Sequence, residues 1–88
     1  MIDVNAAFSA RYAQARVKFL EGAAAAGMAI RSFEHPLKGR DGETLAMDVA
    51  LDGPADAQNL LIVSSACHGV EGYCGSGMQV FATHDAEW

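Results

Sequence analysis

Two side chains that could share a metal ion stand close together in the second half of the sequence, His68 and Glu71. Residues three apart in a helical turn lie on one face, so this imidazole and this carboxylate can point to the same place. Zinc accepts both kinds of ligand, and a catalytic zinc is held by three protein ligands and a water. The pair therefore predicts a metal site, although the same spacing also fits a surface ion pair.

The surroundings of the pair favour the metal site. Four glycines lie between His68 and Gln79, and glycine lets the backbone turn tightly and approach a ligand closely. Glu71 is the only residue among Asp, Glu, Lys and Arg between positions 60 and 83. A carboxylate in so apolar a stretch needs a partner, because burying an unpaired charge is costly.

A short apolar run, Leu-Leu-Ile-Val at positions 60–63, precedes the pair and stops at Ser64 and Ser65. Such a run is typical of a strand that is covered on both faces. Ligands of open α/β sheets bind beyond the carboxyl ends of strands, and His68 and Glu71 follow this run directly. We therefore expect a central strand that ends in the metal motif.

Residues 65–77 read Ser-Ala-Cys-His-Gly-Val-Glu-Gly-Tyr-Cys-Gly-Ser-Gly. They resemble the first metal-binding motif of the zinc carboxypeptidase-like superfamily, and most closely a bacterial branch with poorly defined substrates. In that branch the motif reads roughly Ser-Gly-Thr-His-Gly-Val-Glu-Gly-Phe-Cys-Gly-Ser. The likeness extends upstream through the Arg-Asp-Gly turn to the N-terminal helix. One departure is Ala66-Cys67, where the family motif has Gly-Thr.

The resemblance implies that His68 and Glu71 are two ligands of one Zn²⁺ ion, with a histidine far downstream as the third. It implies a zinc-dependent metallopeptidase, or carboxypeptidase-like hydrolase, acting on a peptide or small amide substrate. In such an enzyme zinc polarises the scissile carbonyl and lowers the pKa of its bound water. A glutamate takes the proton from that water and passes it to the leaving amine.

Several parts of that machinery have no counterpart in these 88 residues: the third ligand, the general base and the arginines that would hold a substrate carboxylate. We therefore expect residues 1–88 to be the truncated N-terminal part of one zinc carboxypeptidase-like domain, and to be inactive alone. The catalytic base is expected downstream, and the sequence assigns no substrate-binding residue.

Three other interpretations stay open. A zinc-dependent N-acyl-amino-acid deacylase shares the His-Gly-x-Glu pattern and the zinc chemistry. A non-catalytic domain could use the His-x-x-Glu segment as a structural turn only. A thiol enzyme could pair Cys67 with His68, but adjacent residues of a strand point to opposite faces, which disfavours such a dyad.

Composition narrows the class of protein. The chain is 51% hydrophobic with a formal net charge of −5, a globular composition whose acidity argues against nucleic acid and anionic membranes as partners. It has no apolar run of about 18 residues and no basic, apolar leader at its start. We expect a cytoplasmic protein in which Cys67 and Cys74 are reduced, small core residues.

The remaining elements form the frame around the motif. Apolar residues recur at helical spacing from Asn5 to about Ala26, and Gly27 predicts the helix end. The members of that apolar face are Phe8, Tyr12, Ala15, Phe19 and Ala23. Strands are predicted over residues 28–37 and 43–51, joined as a hairpin by the Asp41-Gly42 turn. Alternation in the second strand puts one apolar set on one face, namely Leu45, Met47, Val49 and Leu51.

A last helix is predicted from Ser76 or Gly77 to Trp88, with Met78, Phe81 and Ala82 on its packed side. We expect His84 to be a surface residue of this helix rather than the third ligand, and His35 to be a surface side chain. The predicted fold is α/β: a mixed sheet with an N-terminal helix, an antiparallel hairpin, the central strand and a following helix. An open edge beside residues 60–63 also predicts marginal stability and self-association.

Overall fold

Three helices and one β-hairpin follow one another in the computed structural model, which describes residues 2–67 and 69–87. The predicted α/β class is confirmed, with an N-terminal helical region, an antiparallel hairpin and a later helix. In chain order the elements are α1 (Val4–Ala7), α2 (Tyr12–Ala25), β1 (Ala29–Lys38), β2 (Thr44–Leu51) and α3 (Gly72–Thr83).

The N-terminal helical region is interrupted, whereas the sequence predicts one continuous helix. Phe8 and Arg11 both have extended backbone angles, and the Lys18 ammonium donates a hydrogen bond to the Phe8 carbonyl. The break lets the Phe8 ring lie against Gly77 of α3, where even a methyl group on the glycine would collide with the ring. Packing between helices therefore overrides the helical periodicity at this point.

The predicted end of α2 is confirmed. Gly27 has a φ of +79°, and its N–H donates to the carbonyl of Ala24 while the next N–H, from Met28, donates to Ala23. This pair of bonds is a Schellman motif, which satisfies the last carbonyls of a helix and favours glycine at the left-handed position.

The predicted hairpin is also confirmed. Strands β1 and β2 pair antiparallel from Ala29 opposite Leu51 to Glu34 opposite Ala46, and the ladder is irregular between Glu34 and Lys38. Pro36 lies in the irregular part, where its missing N–H removes no regular ladder bond. The turn closes with a bond from the Gly39 N–H to the Glu43 carbonyl at 2.9 Å.

Helix α2 contacts β2 at Ala46 and Asp48, which alternate with the apolar set. The Tyr12 hydroxyl accepts from the Ala46 N–H at 2.9 Å and donates to the carbonyl of the same residue at 3.1 Å. Arg16 pairs with Asp48, two residues along the same face. Within the apolar set, Met47 and Leu51 are 64% and 52% exposed, whereas Leu45 and Val49 are half-buried.

The expected central strand is not formed, so the part of the prediction that placed it in a mixed sheet is wrong. Within the described residues the sheet contains only β1 and β2. Residues 60–63 are 78%, 78%, 76% and 49% exposed. A strand is stabilised by hydrogen bonds to its neighbours, and no described strand lies alongside this run.

Buried apolar side chains are small and lie on the helices: in the described ranges they are Ala7, Ala15, Ala23 and Val80. The radius of gyration, 13.3 Å, exceeds the roughly 12 Å expected for a compact domain of this length. A thin core and exposed apolar residues both indicate a marginally stable chain. None of the described helices has the length and apolar character that crossing a membrane requires.

Candidate metal site

Glu71 lies at the N-terminal end of α3, directly after a tight turn. Gly69 has a φ of +54°, and the Gly72 N–H donates to the Gly69 carbonyl at 3.1 Å. Further bonds between residues three apart follow, from Tyr73 to Val70 and from Cys74 to Glu71. The turn therefore leads into α3 without a break, and it fixes where Glu71 stands.

The Glu71 carboxylate folds back over Gly69. A Cβ atom built on Gly69 would overlap both carboxylate oxygens, so a larger residue here would push the Glu71 side chain out of this arrangement. Gly69 is the residue that follows His68 in the chain. His68 itself lies outside the described residues, so the predicted pairing of its imidazole with Glu71 stays a prediction.

The segment that leads to the motif carries backbone strain at Ala66, whose φ is +58°. Residues with a Cβ disfavour this left-handed region by about 1–2 kcal/mol. Ala66 stands where the carboxypeptidase-like motif has glycine, so the conformation agrees with the residue type that the resemblance would place there.

Two glycines of α3 let this segment lie directly on the helix. A Cβ on Gly72 would come within 2.7 Å of the Ala66 Cα atom, and one on Gly75 within 2.8 Å of the Ser65 Cβ atom. Real side chains do not reach such distances, so these two positions require glycine unless the segment moves away. The glycines thus serve close packing on the segment of residues 65–66.

Gln79 joins the same segment to α3 by hydrogen bonds. Its Nε2 atom donates to the Val63 carbonyl at 2.7 Å, and its Oε1 atom accepts from the Ser65 hydroxyl at 2.9 Å. The sequence analysis missed this residue. Gln79 follows Gly75 by four residues and Gly72 by seven, so all three lie on one helix face, and that was the available signal.

A family model for proteins of unknown function, DUF2817, matches residues 8–88. The chain belongs to the DUF2817 family. The match includes α2, the hairpin and the whole candidate site, so the site is part of what the family model describes. No curated protein and no solved structure is significantly similar to the chain.

The cysteines of this DUF2817 chain differ from expectation. Cys67 and Cys74 are free thiols, and both are exposed, so the prediction that they are small core residues is wrong. The segment before the motif and the first turn of α3 lie on the surface, because no described strand covers them.

The other two histidines lie where the sequence predicts. His35 is exposed on β1 and accepts a bond from the Leu37 N–H through its Nδ1 atom at 3.0 Å. His84 caps the C-terminal end of α3 and is exposed. Since the twelve residues of α3 span about 18 Å, His84 is too far from Glu71 to share a metal ion with it.

Metal-ligating side chains are sparse around Glu71 in the described part of the molecule. Residues 2–67 and 69–87 contain no group of three or more His, Cys, Asp or Glu side chains that could hold a metal ion. The donor chemistry that the site does offer, a carboxylate oxygen beside Gly69, is of a kind that zinc accepts. A complete zinc site would need His68 and at least one further ligand.

The strongest charged contact lies away from the site, between α2 and the hairpin. Arg16 Nε is 2.8 Å from Asp48 Oδ2, and a second bond joins Nη2 to Oδ1 at 3.1 Å. Burial alone would raise the pKa of Asp48, but hydrogen bonds from Arg16 and Ser32 and the Arg16 charge outweigh it and lower the pKa. The hydrogen bond to Asp48 raises the pKa of Arg16. This contact fixes the fold and does not belong to the candidate site.

An apolar groove of about 360 Å³ lies between α1 and the second half of α3, also apart from the site. Neither Glu71 nor the segment of residues 63–67 contributes to its lining. The lining residues are Val4, Phe8, Gly77, Met78, Phe81, Ala82 and Asp85.

Proposed function

We propose that His68 and Glu71 provide two ligands of a zinc ion in a hydrolase of the carboxypeptidase type, which cleaves a peptide or small amide bond. The observation that carries this proposal is the turn at Gly69. It leaves room for the Glu71 carboxylate to fold back toward the residue that follows His68. A carboxylate held on that side of the turn is suited to share a metal ion with the residue at position 68.

The backbone before the turn also supports the proposal. Ala66 adopts a left-handed conformation at the position where the resembling motif has glycine. The left-handed angle of Ala66 is the angle that glycine favours. This agreement supports the same backbone path in this chain and in the resembling motif. That backbone path connects the apolar run to the N-terminal end of α3.

In the proposed reaction His68 and Glu71 bind the zinc ion and take no other part. Zinc, when bound, supplies Lewis acidity that polarises a carbonyl and makes water a better nucleophile. Glu71 would hold the ion through a carboxylate oxygen and His68 through a ring nitrogen. The general base and the third ligand are proposed to belong to the rest of a longer parent enzyme, so residues 1–88 alone are expected to be inactive.

The exposed apolar run supports the proposal of a larger parent domain. Leu60, Leu61 and Ile62 are each more than three quarters exposed in an extended segment. Soluble domains cover such runs, because an unpaired apolar strand associates with other chains. Further strands of the parent on either side would supply that cover, and would place the motif at a strand end of a larger sheet.

Metal analysis of the full-length parent tests the ligand assignment. We expect about one zinc per chain, and His68→Ala and Glu71→Ala should each lower the zinc content. The matched controls are His84→Ala and Glu34→Ala, which remove the same side-chain types at exposed positions outside the motif. Full zinc content in both motif variants would show that the ligands lie elsewhere.

A further inference from the structure

We infer that Gln79 is a positioning residue for the proposed metal site, because it ties the chain on the N-terminal side of His68 to the helix that begins after Glu71. The inference rests on the proposed function and adds to it a residue outside the motif. Gln79 touches neither the proposed metal ion nor a substrate. It acts through the segment of residues 63–67, which we term the approach segment.

The two bonds of Gln79 use both ends of its side-chain amide. The Nε2 atom donates to the Val63 carbonyl at 2.7 Å and the Oε1 atom accepts from the Ser65 hydroxyl at 2.9 Å. Both partners lie three to five residues before His68. Gln79 lies on α3, the helix that begins directly after Glu71. Its bonds therefore attach the chain before His68 to the same helix that positions Glu71.

Little else holds the approach segment. Among the hydrogen bonds of the described residues, those that involve positions 60–67 are the two made by Gln79. The other fixed contacts are the close approaches of Ala66 to Gly72 and of Ser65 to Gly75. Packing alone restricts the distance between segment and helix, whereas the two bonds also set the register along the helix.

The strain at Ala66 gives the bonds a further role. A non-glycine residue at a φ of +58° persists only where its surroundings impose that angle. Gln79 holds Val63 and Ser65, which precede Ala66, by hydrogen bonds. The lack of a side chain at Gly72 leaves room for the Ala66 backbone against α3. Without the bonds, the segment can relax at Ala66 and change the direction in which the chain enters His68.

The test measures zinc binding by the full-length parent with Gln79→Ala. Partners that hydrogen-bond a metal ligand typically contribute about 10–100-fold in metal affinity, and Gln79 acts one step further away, through the approach segment. We expect calorimetric titration to show roughly tenfold weaker zinc binding. The matched control is Gln14→Ala, which removes a glutamine with one backbone hydrogen bond on α2 and should leave the zinc dissociation constant unchanged.

A second measurement reads the position of the segment directly, without metal. Backbone ¹⁵N relaxation of the metal-free chain should give rigid order parameters, about 0.85, for residues 63–67. In Gln79→Ala these values should fall below about 0.6, while those of the hairpin stay rigid. Gln79→Glu keeps an acceptor for Ser65 but has no donor for Val63, and should loosen Val63 more than Ser65.

The outcomes separate the two proposals. If the full-length parent binds no zinc, or binds it as well with Glu71→Ala as without, the proposed function is wrong, and relaxation data still decide whether Gln79 orders the segment. If zinc binding depends on Glu71 but Gln79→Ala binds as tightly as wild type, the positioning role is wrong. Unchanged order parameters in Gln79→Ala would overturn it as well.

Discussion

The hairpin and the segment of residues 60–67 are each joined to a helix by side-chain hydrogen bonds, but their own backbones are held differently. In the hairpin, β1 and β2 pair with each other, and Tyr12 and Arg16 add bonds from α2. In the segment, no described strand pairs with the backbone, and Gln79 supplies its two hydrogen bonds.

The difference shows how stability and function are distributed in the chain. Loss of one contact in the hairpin leaves the strand ladder intact and the motif in place. Its cost therefore appears only in the free energy of unfolding. Loss of one contact in the segment removes a large part of what holds it, so its cost appears in the geometry before His68. Low local stability is common in elements that carry binding sites.

The largest expected effect is on association between chains. The unpaired apolar run should make the 88-residue chain self-associate, because an open strand of this composition pairs with another chain. Leu61→Lys should weaken association by more than about tenfold, since it puts a charge into that contact. Leu37→Lys is the matched control on β1, where the leucine is 68% exposed against 78% for Leu61. Sedimentation over a concentration series measures both.

The comparison of the two regions would fail in either of two ways. A wild-type chain that remains monomeric at high concentration would show that the exposed run does not pair between copies. Equal loss of association in both variants would show that charge, rather than the position of the unpaired segment, controls it. A cooperative thermal transition of a monomer at about 45–65 °C would further argue that the chain is stable without added cover.

The next effect is on unfolding and concerns the hairpin. Asp48→Ala removes the partner of Arg16 at a site where the Asp48 side chain is 8% exposed. Leaving a part-buried charged group and the Ser32 hydroxyl without their acceptor should cost about 2–3 kcal/mol of unfolding free energy. Denaturation by urea measures the loss. The control is Asp41→Ala, since the Arg40–Asp41 pair is 92% and 70% exposed and should contribute nothing measurable.

Acid should reproduce part of the same loss without a mutation. Because the folded state lowers the pKa of Asp48, the contact contributes stability above the unfolded pKa of about 3.9. That contribution is lost as the pH falls through the lower, folded value. Asp48→Asn should flatten this part of the pH–stability curve, and zinc binding at neutral pH should be unchanged. A curve that is equally steep in Asp48→Asn would assign the acid effect to other carboxylates.

Local signals in the sequence predict most of the elements. Gly27 and the Asp41-Gly42 turn act through backbone angles that only a few residues adopt, so the end of α2 and the hairpin follow directly from them. The break after Phe8 could not be predicted in this way. Phe8 fits the periodicity of α2, and only the contact with Gly77 of a distant helix explains its position.

Longer-range features of the site escape the sequence for the same reason. The run at positions 60–63 has strand composition, but a strand also needs neighbours, and composition carries no information about them. The contact of β2 with α2 is made by Tyr12 and Arg16, which find partners on Ala46 and Asp48, and the apolar alternation does not predict it. Gln79 was missed because its role depends on the segment it binds.

The smallest expected effect concerns Ala66 and tests the strained part of the approach segment. Ala66→Gly keeps the observed backbone path and removes the penalty for a Cβ atom at a φ of +58°, about 1–2 kcal/mol. The greater freedom of glycine in the unfolded chain offsets part of the gain, so the net stabilisation should be about 0.5–1 kcal/mol.

The matched control has the opposite sign. Ala24→Gly, at an exposed position of α2, should cost about 0.5–1 kcal/mol, because there the backbone is helical and glycine only adds freedom to the unfolded chain. Urea denaturation of both variants measures the two changes. Destabilisation by Ala66→Gly would mean that the left-handed angle is not the folded conformation. The agreement with the glycine of the resembling motif would then lose its physical basis, and with it one of the two supports for the metal site.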